Sequence, residues 1–327
     1  MSTPDDPFRP VSAAVRTPWH RFLEQMEPLR PELYRYCRYL TRSPWDAEDV
    51  VQDTFARAFV TLGCVTAPID NPRSWLFRIA SNLWLNEVRR SREALDDEIA
   101  SRAAAPTSSD PRATREAVGT LVGLLGPQER VAVVLKDVFD FSLEEIAETL
   151  STTVGAIKAA LHRGRAKLAD PPIEPRVQPA PAVLTEFAEA FNARDVDRLT
   201  SLLLDAATFE FPGLHVEYGV EAARKGSLGG VLFGNPAGDN AGIAPQFRKG
   251  LLPQPPRLEV RAHRGEGLLL GWFAHEDGEA VRAISRANLE GDRVCRLRTY
   301  LHQPEVLAEI CKELRVPFRP SGHRHWW

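Results

Sequence analysis

FSLEEIAETLSTTVGAIKAALHRGRAKL, residues 141–168, decides how the rest of the chain is understood. Leu143, Ile146, Ala147 and Leu150 recur at i, i+3, i+4 and i+7, which places them on one helical face. Ser142 with Glu145 three residues later forms a capping box, so a helix should begin there. Ser151, Thr152 and Thr153 supply hydroxyls at a turn, any of which can cap a second helix. In that helix Val154, Ile157, Leu161 and Leu168 make the apolar stripe. Its other face carries Lys158, His162, Arg163, Arg165 and Lys167 with no acid among them. Two short helices at a tight turn, the second basic on its outer side, suit a recognition helix lying in a DNA major groove. An ordinary helical hairpin with a solvated Lys/Arg face fits the same residues.

Composition bounds what surrounds this stretch. The chain has 327 residues, enough for two or three domains, and its 43% hydrophobic and 26% charged content is that of a globular protein. A net charge of −3 excludes a uniformly basic coat, so any affinity for nucleic acid must be local. Cys37, Cys64, Cys295 and Cys311 show no CxxC spacing, which gives neither a zinc site nor a disulfide framework. Nothing in the sequence calls for a metal or a cofactor. MSTPDDPFRP at the start lacks the basic-then-apolar run of a signal peptide, and no stretch approaches the ~20 apolar residues of a membrane span. A cytoplasmic protein without a membrane partner is expected.

Upstream, Trp19 to Leu40 follows a helical pattern, with Pro28 and Pro31 predicting a break near Met26–Pro31. Ser43-Pro44-Trp45-Asp46 is a strong helix start, with a capping serine and proline in the first turn. In the helix that follows, Ala47, Val50, Val51, Phe55, Ala58 and Leu62 form the core side, while Asp49, Gln52, Asp53 and Arg57 line another face. Asn71-Pro72 starts a further helix whose stripe is Trp75, Leu76, Ile79, Ala80 and Leu83. Arg73, Arg78, Arg89, Arg90 and Arg92 give that helix positive charge. Asn82 and Asn86, one turn apart, can offer donors and acceptors to base edges. Aromatics interleaved with arginines suit single-stranded nucleic acid, where bases stack and phosphates pair.

DAEDVVQDTFARAF, then NPRSWLFRIASNLWLNEVRR, then LLGPQERVAVVLKDVFDFSLEEIAETLSTTVGAIKAALHRGRAKL together resemble an extracytoplasmic-function sigma factor of the sigma-70 family. The resemblance spans Trp19 to Asp170. It implies that core RNA polymerase and promoter DNA are the partners. The polymerase would be met by Asp46, Asp49, Gln52, Asp53 and Arg57. The −10 element would be read by Asn71, Arg78, Asn82, Asn86, Arg89 and Arg90, and the −35 element by Lys158, Ala159, His162, Arg163 and Arg165. Asn86 stands where the family often has aspartate, Ala159 where serine or arginine is common, and Gly164 where alanine is usual. By helix propensity Gly164 should cost about 1 kcal/mol.

The implied organisation is a disordered tail at 1–18, sigma region 2 at 19–92, and an acidic flexible linker at 93–111. Sigma region 4, with the helix-turn-helix, follows at 112–170, then a proline-rich linker at 171–181. The remaining 182–327 reads as an α+β domain: amphipathic helices over Val183–Leu204, then strand-like runs from Ala207, Arg257, Leu268, Val281 and Arg293, then a helix over Pro304–Leu314. Its opening segment resembles the SnoaL-like domains, cone-shaped barrels of the cystatin-like type. The expected fold class is therefore multidomain, two all-α sigma domains followed by that α+β unit. Joined through only the short spacer Pro171–Pro181 and ending in the aromatic anchors Phe318, Trp326 and Trp327, this unit is expected to regulate in cis, through intramolecular contact with the sigma regions. The alternative is a SnoaL-like enzyme or small-molecule sensor on a DNA-binding module, with His215, His263, His275, Asp277 and His302 as pocket groups. No pair among them has a spacing that demands chemistry, so no catalytic residue is assigned and a non-enzyme is expected.

Overall fold

The computed structural model of the chain describes residues 18–19, 21–64, 68–102, 125–167, 181–213, 215–226, 228, 256–275 and 277–320. The tail at 1–17, residues 103–124, most of the proline-rich linker, the glycine-rich insertion after Leu228 and Trp326–Trp327 lie outside these. The chain divides into two compact units, Met1–Glu174 and Pro175–Trp327.

In the first unit the expected break is a 3-10 turn at Glu27–Leu29, after which α1 runs Arg30–Thr41. Helix α2, Pro44–Leu62, starts on Ser43, whose hydroxyl accepts the Asp46 amide at 3.2 Å. Its core residues Ala47, Val51, Phe55 and Ala58 are buried as the spacing required. Leu62, expected beside them, is 41% exposed, because it falls in the last turn. Helix α3 covers Pro72–Arg102, so the linker expected from Glu93 begins as helix. The acidic composition suggests a flexible linker, yet EALDDEIASR holds no proline or glycine and is rich in helix formers. Three shorter helices follow: α4 (Pro127–Asp137), α5 (Leu143–Thr149) and α6 (Val154–Lys167).

Helix α3 buries two faces rather than one. Of the expected stripe Trp75, Leu76 and Ala80 are buried and Ile79 and Leu83 half-buried, while Trp84, outside it, is buried too. Phe77, outside that stripe, is 1% exposed and stacks on Tyr36 of α1, with centroids 4.5 Å apart. It also meets Phe139 and Phe141, which join α4 to α5, each at 5.3 Å. Arg73 closes this seam. Its guanidinium donates to both Glu32 oxygens at 2.6–3.0 Å and to the Phe139 carbonyl at 3.0 Å, and it lies over the Phe77 and Phe141 rings. Arg130 of α4 donates to the Leu40 carbonyl at 2.6 Å and stacks on Trp84. Burial, with Arg42 nearby, lowers the Arg130 pKa to about 10. Helices α1–α3 and α4–α6 thus share one aromatic and guanidinium seam.

The second unit opens with α7 (Ala182–Asn192) and α8 (Val196–Ser201), the pair expected over Val183–Leu204. Its last two residues, Leu203 and Leu204, instead begin β1 (Leu203–Phe211). There follow β2 (His215–Tyr218), α9 (Val220–Lys225), β3 (Arg257–His263), β4 (Glu266–His275), β5 (Gly278–Glu290), β6 (Arg293–Tyr300) and α10 (Pro304–Leu314). The sheet order is β2-β1-β6-β5-β4-β3. Strands β3 to β6 form the antiparallel meander that the sequence indicated. Strand β1, however, joins β6 in parallel, so the sheet is mixed. Leu184, Phe187 and Phe191 of α7 pack with Phe209, Leu258, Leu269 and Leu297 in one core. The Asn192 amide fixes α7 to β3, exchanging two 2.8 Å bonds with the Leu258 backbone.

Candidate nucleic-acid interface

The helix-turn-helix is built as its capping residues dictate. Ser142 N donates to Glu145 Oε2 at 2.8 Å and Glu145 N to Ser142 Oγ at 3.1 Å. The bond from the Ser142 amide, with other hydrogen bonds, holds the Glu145 carboxyl below its ordinary range. Ser151 takes φ 49°, turning the chain sharply, and Thr153 caps α6 by accepting the Ala156 amide at 3.2 Å. Ile157, Ala160 and Leu161 are buried with Ile146 and Ala147. Leu168 lies outside the described residues.

Gly164 is where α6 meets α4. A Cβ there would stand 2.7 Å from Val133 Cγ2, closer than two carbons can approach. The glycine therefore permits close packing rather than merely weakening the helix, which corrects the cost expected from propensity alone.

The outer face of α6 divides into two sets. Lys158, Ala159 and His162 are exposed, and neither Lys158 nor His162 has a partner among the described residues. Arg163 and Arg165 are exposed but tied to α4. Arg163 Nε donates to Glu129 Oε1 at 3.0 Å, and Arg165 Nε donates to Asp137 Oδ2 at 3.0 Å. The basic face lacks acids within its own helix, but α4 supplies two. Lys167 lies in α6, and its side chain is outside the described set.

The same division holds along α3. Asn71 caps the helix, accepting the Ser74 amide at 3.0 Å. Arg78 pairs with Glu148 of α5 at 2.7 Å, and Ser74 reaches Glu145 at 3.3 Å. Asn82, Asn86, Arg89 and Arg90 are exposed further along. There Arg89 donates to Asn86 Oδ1 at 3.3 Å, and Arg90 pairs with Glu87 at 2.7 Å. On α2, Asp46, Asp53 and Arg57 are exposed, Asp49 and Gln52 half-buried. Beneath them Glu48 is fully buried against Arg30, at 2.6 Å.

Residues 26–94 match the Sigma-70 region 2 family and residues 115–168 the Sigma-70, region 4 family. The ECF RNA polymerase sigma factor SigW of Bacillus subtilis is 30% identical over 163 residues, 45% of this chain and 86% of SigW. This chain belongs to the ECF sigma factors. The ECF RNA polymerase sigma factor SigG of Mycobacterium tuberculosis is 29% identical over 227 residues, covering 58% of this chain. The match spans 61% of SigG, less than two thirds of its length. Among solved structures, the Mycobacterium tuberculosis extracytoplasmic function sigma factor SigJ has a TM-score of 0.31 and 22% identity, covering 86% of this chain and 97% of that one.

In this sigma factor the five polar residues singled out after Asp170 do not converge. His263 is buried at the β3–β4 hairpin, 2.6 Å from Glu313 of α10. His275 and Asp277 lie at the β4–β5 turn, where Asp277 pairs with Arg319. Burial first, then Arg319 and Arg282, lowers the His275 pKa. His215 is 3.5 Å from Glu217 on β2, and His302 follows β6. A small cavity of about 10 Å³ lies instead between α7 and the sheet, lined by Phe187, Phe191, Leu258, Ala283, Ser285 and Thr299 among others. Its hydroxyls, Ser285 and Thr299, bond each other at 2.8 Å, so no acid or base faces it among the described residues. No group of described residues is arranged to hold a metal, and no described helix is long and apolar enough to cross a membrane.

Sequence reasoning overlooked the residues that connect helices distant in the chain. Phe77, Phe139, Phe141 and Glu129 serve the interface by holding it, and neither periodicity nor motif distinguishes them. Only the aromatic pair Phe139 and Phe141, just before a capping box, hints at a staple.

Proposed function

We propose that this protein directs core RNA polymerase to promoters, reading the −35 element with α6 and the −10 element with α3. The observation that carries this is the exposed row Lys158–Ala159–His162 on a helix capped and backed as a recognition helix must be. Asn82, Asn86, Arg89 and Arg90 make the corresponding exposed row on α3, while Asn71 acts as its cap. The face Asp46, Asp49, Gln52, Asp53 and Arg57 on α2 docks on polymerase. Sigma region 2 extends over 19–92 and region 4 over 112–170 on this reading.

Arg78, Arg163 and Arg165 enter that scheme differently, since each is paired with an acid of another helix. Glu148 in particular occupies Arg78, so α3 and α5 are held together. The two promoter elements stand about 25 base pairs apart, roughly 85 Å of duplex at 3.4 Å per step, whereas α6 is roughly 21 Å long. Helices joined side by side cannot span that distance. The seam must therefore part when both elements are read, which frees Arg78 for phosphate.

Run-off transcription by the full chain with core polymerase tests this. Lys158→Ala with His162→Ala should cut initiation at the protein's own promoter about tenfold, and Lys158→Ala alone should lower the salt slope of promoter binding by about one. Normal initiation by the double variant would overturn the assignment of α6.

For the C-terminal unit we propose a SnoaL-like regulatory domain acting in cis. It has its own core, and the described residues that line its cavity include no acid or base, which favours an interaction role over catalysis. Across a short proline-rich tether the effective concentration is on the order of mM, enough to populate a weak contact with the sigma half. Truncation after Asp170 should change transcription by the same core enzyme. An unchanged yield would remove the regulatory role.

A further inference from the structure

Resting on the reading of α2 as the polymerase-facing helix, we infer that Arg30 and Glu48 position the Gln52 amide, and that Gln52 meets a hydrogen-bond donor on the polymerase. Glu48 is 0% exposed and Arg30 is 5% exposed, an ion pair closed by contacts of 2.6 and 3.4 Å inside the first unit. Gln52 lies one turn further along α2, half-buried, with Nε2 2.7 Å from Glu48 Oε1.

The chemistry of that bond fixes which end of the amide faces out. A carboxylate in an ion pair only accepts, so Glu48 must be met by the NH2 end of Gln52. The Gln52 carbonyl oxygen is then turned away from Glu48. It is an acceptor, and its natural complement is an N–H or guanidinium group. Arg30 matters because it supplies a counter-charge to the buried Glu48 carboxylate. A glutamine side chain normally loses rotamer freedom when it docks. Here the anchor removes much of that freedom beforehand, which is what a preorganised contact requires. Glu48 and Arg30, being buried, act through Gln52 and are positioning residues.

The test measures full-length protein binding to core polymerase in a double-mutant cycle. One arm is Gln52→Ala. The other replaces the pair together, Arg30→Met with Glu48→Met, because an apolar pair of similar volume commonly preserves the fold where removing one charge does not. Gln52→Ala should weaken binding about tenfold, and the paired replacement about fivefold. Combining them should be no worse than Gln52→Ala alone. Fully additive losses would show the pair to be merely structural and overturn the positioning role. An unchanged affinity for Gln52→Ala would overturn the α2 docking reading itself, so the two failures are distinguishable.

The donor claim has its own arm. With Arg30 and Glu48 replaced, Gln52→Glu keeps an acceptor at this position and removes the donors. It should bind at least as well as glutamine in that background, and weaker binding would overturn the donor assignment. Should the paired replacement not fold, the unsubstituted protein still decides. The Gln52 side-chain NH2 should exchange with solvent more slowly than that of an exposed glutamine, and equal rates would overturn the anchor.

Discussion

Replacing Gly164 with alanine should destabilise the sigma half by up to about 2 kcal/mol, although alanine is the better helix former. Propensity alone predicts a gain of about 1 kcal/mol. Against it stands the position of the new methyl group, 2.7 Å from Val133 Cγ2. Val133 is β-branched, 5% exposed and set in α4, so it cannot swing aside as a long flexible side chain would. Overpacking of this kind costs about 1–3 kcal/mol, which at the least cancels the propensity gain. The unfolding midpoint of this unit should fall by up to roughly 8 °C, at about 2–4 °C per kcal/mol for its size. Val133→Ala removes the offending methyl, so Gly164→Ala should be harmless or favourable in that background. A raised melting temperature for Gly164→Ala alone would show that α4 yields, and the packing account would fail.

Arg73→Ala should cost about 2 kcal/mol at neutral pH, and the cost should shrink in acid. Arg73 holds Glu32, the Phe139 carbonyl and two aromatic rings at once. The ion pair is about a third exposed, so its charge-assisted bonds contribute about 1–2 kcal/mol, and the ring contacts about 0.5–1 more. Bonding to Arg73 holds the Glu32 carboxyl below its ordinary value of 4.5. A depressed carboxylate contributes stability that is fully present above pH 4.5 and is lost as pH falls through the folded-state value. The difference between wild type and Arg73→Ala should therefore be widest near pH 7 and narrow below pH 4.5. Urea midpoints measured at pH 7 and pH 3.5 check this. A difference independent of pH would show that Arg73 acts only through the rings.

How much of this was legible depended on sequence distance. The helix-turn-helix was readable because its caps are local: Ser142 answers Glu145 and Thr153 answers Ala156 within one turn. Strands β3 to β6 were readable as runs bounded by turn residues, and α10 from its apolar spacing after Pro304. Strand β2, only His215–Tyr218, is too short to show alternation. The parallel pairing of β1 with β6 left no trace, since nothing in ATFEF names a neighbour some 90 residues away. The DNA-facing residues suffered from the same blindness. Lys158 and Arg163 look alike in sequence, yet only Arg163 meets Glu129, 34 residues away, and becomes part of the scaffold. Linker composition misled at Glu93, where acids counted for more than the absence of a helix breaker.

The parallel contact of β1 with β6 sets an order of events during synthesis. Strand β1 pairs on one side with the four-residue β2 and on the other with β6, through Phe209↔Leu297 and its neighbours. The sheet therefore cannot close until Tyr300 has left the ribosome. Every residue in the described sigma seam has been made by Lys167, roughly 130 residues sooner, which at ~5–20 residues per second is on the order of ten seconds. During that interval the sigma half can acquire its aromatic seam while the unit that follows is still an open chain. Ribosome-bound chains stalled before Arg293 should accordingly resist protease up to Lys167 and be cut beyond Pro181. Each newly made molecule thus passes through a brief period as a folded sigma half with no finished partner, and any restraint imposed by the second unit begins only when its last strand arrives.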